Sequence, residues 1–84
     1  MKTYKRIVVL QRGWVVVGDY SELGASVTIT NAFVIRKWGT TQGLGEIAAN
    51  GPIPDKTILD PVGVIRAHIL SVLFTIDCDA QKWK

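Results

Sequence analysis

The chain alternates strand-like runs of β-branched residues with short glycine-containing turns, and this pattern limits the possible folds more than any other feature. Three consecutive valines at residues 15–17 are typical of a strand that is covered on both faces or that lies in a small closed barrel. Residues 26–30 alternate hydroxyl with apolar side chains, which indicates a strand with one buried face. Short connections between such runs predict an antiparallel meander.

The expected fold is therefore mostly β, a β-rich α+β domain that spans residues 1–84 as a single unit. We expect six to seven short strands in a small antiparallel sheet that forms a closed or nearly closed barrel. The first four strands are expected at residues 4–10, 14–20, 26–30 and 33–38, and a short extended piece at residues 57–60. One short helix is expected near residues 43–50, because glycines precede it and Glu46 lies three residues after Gly43.

Residues 62–76 allow two interpretations. Their apolar side chains fall on one helical stripe, and Asp60-Pro61 resembles a helix cap followed by proline at the first helical position. Two strands broken near Leu70-Ser71 explain the same pattern. We prefer strands, because β-branched residues dominate the segment and a glycine lies in the first turn of the alternative helix.

A chain of 84 residues builds a small core, and such domains often need additional stabilisation. Cys78 is the only cysteine and His68 the only histidine, which excludes an internal disulfide and a Cys/His zinc cluster. We therefore expect a homo-oligomer, since the strand edges of so small a domain invite pairing. No apolar run has the length of a signal-peptide core or a membrane span, so we expect a cytoplasmic chain without a membrane partner.

The glycine- and threonine-rich turn at residues 38–46 is the best candidate for a binding site. Its glycines let backbone N–H groups converge on an anion, its threonine hydroxyls can bond phosphate or ribose oxygens, and Trp38 can stack on a base. The order of residues is neither a P-loop nor a dinucleotide-binding fingerprint. The alternative is a simple strand-to-helix connection. The predicted ligand-binding residues are Arg36, Trp38, Gly39, Thr40, Thr41, Gly43, Gly45, Arg66 and His68.

Arg36 and Arg66 each lie in an apolar strand context, where an arginine is costly unless it is paired. The guanidinium fork suits a carboxylate or a phosphate equally well. One interpretation places both arginines, with His68, around a phosphate-bearing ligand. The other pairs them with acidic residues of the chain, of which the candidates are Asp60, Glu46 and Asp19.

The sequence offers no catalytic set, and we expect no enzyme, no metal site and no cofactor. No serine lies in a nucleophile-elbow motif. Asp77 and Asp79 flank Cys78, and like charge raises the pKa of a thiol, which disfavours a reactive thiolate.

Four segments resemble a family of small, uncharacterised proteins encoded by tailed phages and prophages. They read GWVVVG at residues 13–18, NAFVIRKWGTTQGLGEIAANGP at 31–52, LDPVGVIRAH at 59–68 and FTIDCD at 74–79. Phages often encode similarly small oligomers that sequester nucleotide-derived immune signals of the host. The resemblance therefore implies a non-catalytic binder of a small nucleotide-like ligand.

Two alternatives remain. The first is a small β-barrel that binds nucleic acid, since the formal net charge is +3 and aromatic residues accompany basic ones near the N-terminus. Those residues are Tyr4, Lys5, Arg6, Arg12, Trp14 and Tyr20. The second alternative is a structural or host-protein-interaction phage protein, in which the glycines and tryptophans only make the fold.

Overall fold

The computed structural model describes residues 4–39 and 43–83, and one antiparallel sheet dominates them. The strands are β1 (Tyr4–Leu10), β2 (Val15–Leu23), β3 (Ser26–Lys37), β4 (Ile58–His68) and β5 (Val72–Asp77). They lie in the order β4-β3-β2-β1-β5. The helix α1 (Leu44–Asn50) follows β3, and 3₁₀ turns at Gln11–Gly13 and Ile69–Ser71 separate β1 from β2 and β4 from β5. The mostly β fold class is confirmed.

The expected count of six to seven strands is wrong: residues 4–39 and 43–83 form five, and the sheet is not closed. The error arose at two irregular points that bend a strand without ending its hydrogen-bonded ladder. Asn31, with φ 50°, joins the expected third and fourth strands into β3, and Gly63, with φ 81°, lies within a continuous β4. Register shifts of this kind are β-bulges. For residues 62–76 the preference for strands is confirmed, with the break at Ile69–Ser71.

The sheet is strongly curled, which follows from the connection between its two edge strands. A flat sheet of five strands is roughly 19 Å wide, whereas the four Cα steps from His68 to Val72 span at most about 14 Å. The 3₁₀ turn in this connection contacts the turns that precede and follow β2. Ile69 N–H donates to the Ala25 carbonyl at 2.7 Å, and Gln11 Nε2 donates to the Leu70 carbonyl at 3.2 Å.

Each face of the curled sheet carries its own apolar cluster, because side chains alternate between the faces along every strand. The inner cluster comprises Val8, Val16, Tyr20, Val27, Ile29 and Ala32, with Ile65, Ile69 and Val72 packed against it. The outer cluster comprises Ile7, Val17, Ile35, Ile47, Ala48 and Trp83. This explains the three valines of β2: Val16 lies on the inner face, and its neighbours Val15 and Val17 lie on the outer one.

Helix α1 covers the outer face through Ile47 and Ala48, as a helix of two turns must do to be stable. The segment after β5 then packs on the helix. The Ala48 carbonyl accepts hydrogen bonds from the Asp79 N–H at 3.0 Å and from Trp83 Nε1 at 3.1 Å. In the part of the chain that the structure describes, no helix is long and apolar enough to cross a membrane.

Candidate functional site

Arg36 lies near the end of β3 and forms an ion pair with Asp60 of β4. The Nε atom of Arg36 lies 2.9 Å from Asp60 Oδ2, and the two side chains are 63% and 46% exposed. This is one of the acidic partners that the sequence offered. Only the Nε–H group makes this bond, and a guanidinium carries four further N–H donors. The pair therefore does not exclude a role for Arg36 in binding an anion.

Two exposed tryptophans flank Arg36 at this end of the sheet. Trp38 follows two residues later and is 40% exposed. Trp14 precedes β2 and is 56% exposed. In the β2–β3 ladder Val16 is the partner of Val34, and extending this register by two positions places Trp14 beside Arg36. We call Trp14, Arg36 and Trp38 the tryptophan–arginine surface.

The loop before β4 is fixed against the end of β3, next to this surface. Thr57 Oγ1 donates to the Trp38 carbonyl at 2.6 Å and accepts from the Ile53 N–H at 2.8 Å. Gly39 has φ 75°, and a Cβ atom there would lie 2.6 Å from the Lys56 carbonyl carbon and oxygen. Both the positive φ and the close approach of Lys56 thus require glycine at position 39, whether or not this residue contacts a ligand.

The remaining part of the predicted glycine–threonine turn is only partly described. Thr40 and Thr41 lie outside the described residues, so their role stays a prediction. Gly43 has φ 85° and caps α1 without a side chain, and its carbonyl accepts from the Ile47 N–H at 3.4 Å. Gly45 is exposed in the first turn of α1, and among the described residues outside its own helix no atom would lie within 4 Å of a Cβ atom at this position.

Arg66 and His68 lie on another part of the sheet, away from the tryptophan–arginine surface. Arg66 is the partner of Thr28 in the β3–β4 ladder, eight positions along β3 from Arg36. With Ser26 and Thr28, Arg66 and His68 line an open cleft of about 340 Å³. His68 Nδ1 accepts a hydrogen bond from the Leu70 N–H at 3.1 Å and caps the second 3₁₀ turn.

The structure therefore divides the predicted site. Arg36, Trp38 and Gly39 stay together at the end of β3, whereas Arg66 and His68 line a cleft elsewhere on the sheet. The structure also adds Trp14, which the sequence analysis considered only for nucleic-acid binding. The signal that could have found Trp14 is the antiparallel pairing of residues 14–20 with 33–38, which places the start of one strand beside the end of the next.

A second cleft of about 460 Å³ lies between the outer face of the sheet and the segments that cover it. Its floor is polar: Lys5 Nζ lies 3.4 Å from Asp19 Oδ1, and Asn31 Nδ2 donates to Asp19 Oδ2 at 3.1 Å. The walls are largely apolar and comprise Val17, Phe33, Pro52, Leu59 and Trp83. Both oxygens of Asp19 are thus engaged within the protein, which is the arrangement of a structural polar group.

A third cleft, of about 570 Å³, is lined by Tyr4, Arg6, Asp77 and Cys78, among others. The Arg6 guanidinium lies 5.2 Å from the Tyr4 ring centre and 5.3 Å from that of Tyr20, distances typical of cation–π contacts. Arg6 Nε also lies 3.0 Å from Asp77 Oδ1, although without the alignment of a hydrogen bond. Arg6 is therefore held by its own neighbours.

Among the residues that the structure describes, the titratable groups give no sign of an activated nucleophile. Burial raises the pKa of the Cys78 thiol to about 11, and Asp77 adds to the increase. The direction agrees with the sequence analysis, but the main cause is burial rather than like charge. Burial, together with a hydrogen bond from Tyr20 to Glu22 at 2.7 Å, raises the pKa of Tyr20 to about 12. Within residues 4–39 and 43–83, no three His, Cys, Asp or Glu side chains group together to hold a metal ion.

Neither a scan against models of protein families nor a search of curated protein sequences finds a match to this chain. The tryptophan–arginine surface is therefore the best guide to the function of this protein.

Proposed function

We propose that this protein binds a nucleotide-derived ligand and holds it without converting it, as a phage protein that sequesters a host immune signal would. The observation that supports the proposal is that two exposed tryptophans accompany Arg36: Trp14 lies beside it by extension of the β2–β3 register, and Trp38 follows it by two residues. Indole rings stack on nucleobases, and a guanidinium binds phosphate through paired N–H donors. The three side chains thus supply the two interactions that a nucleotide needs most.

The ion pair with Asp60 is compatible with this function. Exposed pairs contribute little to stability, so a phosphate can compete for Arg36 at small cost to the fold. Asp60 also holds the guanidinium in place before the ligand arrives, which reduces the entropy lost on binding. Sequestration requires tight binding and no reaction, and the raised pKa of the Cys78 thiol agrees with a protein that lacks an activated nucleophile.

Single-stranded nucleic acid is the second candidate ligand for the same surface. The observation that favours it is the exposure of both tryptophans, 56% for Trp14 and 40% for Trp38, since an open pair of rings can accept successive bases of a strand. Exposed basic residues of the same region would contact the backbone phosphates. They are Arg12, Lys37 and Lys56.

The test is a thermal-shift panel of cyclic oligonucleotides, ADP-ribose derivatives and short single-stranded DNA and RNA. A ligand that binds only the native state raises the melting temperature. For a nucleotide-sized ligand, we expect the shift to persist at high salt. A nucleic-acid complex instead weakens steeply as salt rises, because counterions released on binding drive it. No shift with any member of the panel at large excess would contradict both candidates.

Matched variants locate the site. We expect Trp14→Ala, Trp38→Ala and Arg36→Ala each to weaken binding of the active ligand at least about tenfold, the loss of one stacking or charged contact. Arg66→Ala is the control for Arg36→Ala, because it removes the same charge from the other part of the sheet. If Arg36→Ala and Arg66→Ala lost ligand affinity equally, the loss would reflect the lower net charge rather than a contact between Arg36 and the ligand.

A further inference from the structure

Two neighbouring strands bring four polar side chains together on the outer face of the sheet. In the β3–β4 ladder Ser26 is the partner of His68 and Thr28 is the partner of Arg66, with no register shift between the two pairs. Partner residues direct their side chains to the same face, and so do residues two apart along a strand. The intervening Val27 belongs to the inner cluster, so these four side chains lie on the outer face. We call them the β3–β4 polar cluster.

The spacing and the openness of this cluster suit a small ion. Directly opposite side chains have Cβ atoms about 5 Å apart, and residues two apart along a strand are separated by about 7 Å. The cluster lines the open cleft of about 340 Å³, and every lining residue that the structure describes belongs to β3 or β4. Helix α1 covers another part of the outer face, through Ile47 and Ala48. A small ion can therefore reach all four side chains from solvent.

All four side chains have hydrogen-bond donors available. His68 Nδ1 accepts from the Leu70 N–H at 3.1 Å, so the proton of the neutral ring lies on Nε2, which is then a donor. Within residues 4–39 and 43–83, the hydroxyls of Ser26 and Thr28 and the guanidinium of Arg66 have no hydrogen-bond partner. A hydroxyl rotates to donate, and a guanidinium has no acceptor at all. The cleft thus offers donors from both strands.

The charge of Arg66 is not neutralised within the described part of the chain. Arg36, on the neighbouring strand, lies 2.9 Å from Asp60, whereas no acidic side chain lines the cleft that contains Arg66. Glu22 of β2 is the partner of a residue of the inner cluster and accepts a hydrogen bond from Tyr20 on that face. A carboxylate of the sheet therefore does not compete for this guanidinium.

We propose that the β3–β4 polar cluster binds a phosphate group, at a site separate from the tryptophan–arginine surface. The guanidinium fork of Arg66 holds two oxygens of a tetrahedral phosphate, and the further oxygens accept from His68 Nε2 and from the hydroxyls of Ser26 and Thr28. A planar carboxylate uses both of its oxygens on the fork alone and leaves the other donors without a partner. A cation finds no carboxylate among the lining residues that the structure describes.

The phosphate site is independent of the tryptophan–arginine surface because the two lie far apart on the sheet. Thr28, the partner of Arg66, and Arg36 are eight positions apart on β3, which corresponds to roughly 26 Å of extended strand. A mononucleotide is shorter than this distance, so one such ligand does not contact both surfaces. Failure of nucleotide binding at Trp14 and Trp38 would consequently leave the phosphate site untouched, and the reverse also holds.

Titration with inorganic phosphate, followed by nuclear magnetic resonance, tests the proposal. We expect saturable shifts of the backbone amide signals of residues 26–28 and 66–68, and none with sodium chloride at matched ionic strength. Ribose 5-phosphate, which has no base to stack on tryptophan, distinguishes the sources of the phosphate group. Tighter binding than that of inorganic phosphate assigns the site to an organic phosphate, and equal or weaker binding assigns it to the free ion. No saturable shift of these signals with either probe, or the same shifts with chloride, would overturn the proposal.

Matched variants assign the shifts to the β3–β4 polar cluster. Arg66→Ala is expected to weaken phosphate binding at least about tenfold, the loss of a charge-assisted contact. Lys82→Ala removes the same charge from the exposed tail and is expected to follow the parent.

The hydroxyl of Thr28 has a control on its own strand. Thr28→Val removes the hydroxyl and keeps a β-branched residue, for an expected loss of phosphate affinity of about threefold. Thr30→Val is the control, because Thr30 pairs with Asp19 of β2 and does not line the cleft. Equal losses in Thr28→Val and Thr30→Val, or in Arg66→Ala and Lys82→Ala, would contradict binding at this cluster.

Discussion

Thr57 Oγ1 donates a hydrogen bond to the Trp38 carbonyl at 2.6 Å, and this contact ties the loop before β4 to the end of β3. The same oxygen accepts from the Ile53 N–H at 2.8 Å, so one hydroxyl satisfies a donor and an acceptor in two segments. Backbone groups without such partners are costly where water is partly excluded. The position of Trp38, one of the three residues of the tryptophan–arginine surface, therefore depends on Thr57, which was not among the predicted site residues.

Replacing Thr57 by valine should destabilise the protein and weaken ligand binding together. Valine keeps the shape and removes both hydrogen bonds, so we expect the free energy of unfolding to fall by about 1–2 kcal/mol. Urea denaturation measures this loss. Thr57→Ser retains the hydroxyl and should stay close to the parent. A Thr57→Val protein as stable as Thr57→Ser would show that the two bonds contribute nothing.

Gly39→Ala should cost more stability than the same change at Gly24, although both glycines have positive φ. At Gly24, with φ 60°, nothing lies within 4 Å of a Cβ, so only the conformational penalty of about 1 kcal/mol applies. At Gly39 the new Cβ also meets backbone atoms of Lys56 at 2.6 Å, and we expect a loss of about 3 kcal/mol. Chemical denaturation compares the two variants, and equal losses would contradict the close packing at Gly39.

Trp83→Phe should loosen the segment after β5 from helix α1. Trp83 is 8% exposed, packs in the outer cluster and donates through Nε1 to the Ala48 carbonyl. Phenylalanine loses that bond and part of the buried area, for an expected cost of about 2 kcal/mol. Hydrogen exchange should show lower protection in α1 and in the Asp79 N–H. Lys82→Ala changes a neighbouring exposed side chain and is the control. It should leave the hydrogen-exchange protection of α1 and of the Asp79 N–H unchanged.

Local signals predicted the regular elements well, and the failures lie where local signals are ambiguous. The bounds of β1 and the break at Ile69–Ser71 were correct, since β-branched runs and their interruption are read from neighbouring residues. Strand breaks were expected between residues 30 and 33 and between residues 60 and 62, but the ladder continues through both, because a residue with positive φ, such as Asn31 or Gly63, marks a bulge as readily as a turn. Trp83, a lone apolar residue in a polar tail, carries no periodicity from which its burial could be predicted.

The candidate site was predicted only in part, because the sequence shows which residues are neighbours along the chain but not which strands pair and in which register. Arg36 and Trp38 are two residues apart, so their proximity could be predicted from the sequence. The separation of Arg66 from them depends on the β3–β4 register, which the bulges shift. The approach of Trp14 depends likewise on the β2–β3 register. Long-range pairing of this kind is fixed by the whole sheet rather than by any one segment.

Cys78 should be protected from alkylation in the folded protein, and the protection should depend on pH. Its pKa is raised from 9.0 to about 11, chiefly by burial. Folding therefore favours the neutral thiol. The contribution of the Cys78 thiol to the free energy of unfolding is complete below pH 9, the pKa of the thiol in the unfolded chain. This contribution is lost as the pH rises through about 11, the pKa in the folded protein.

At pH 9 about half of the thiols are ionised in the unfolded chain and about 1% in the folded one. The native protein should then react with iodoacetamide about fifty times more slowly than the chain in denaturant, because the thiolate is the reactive form. Mass spectrometry of timed samples measures both rates. The ratio should shrink as the pH approaches 11, where the folded thiol also ionises. Equal rates at pH 9 would mean that the Cys78 thiol is not buried and that its pKa is not raised. The packing of Cys78 against the outer cluster would then be looser than the structure shows.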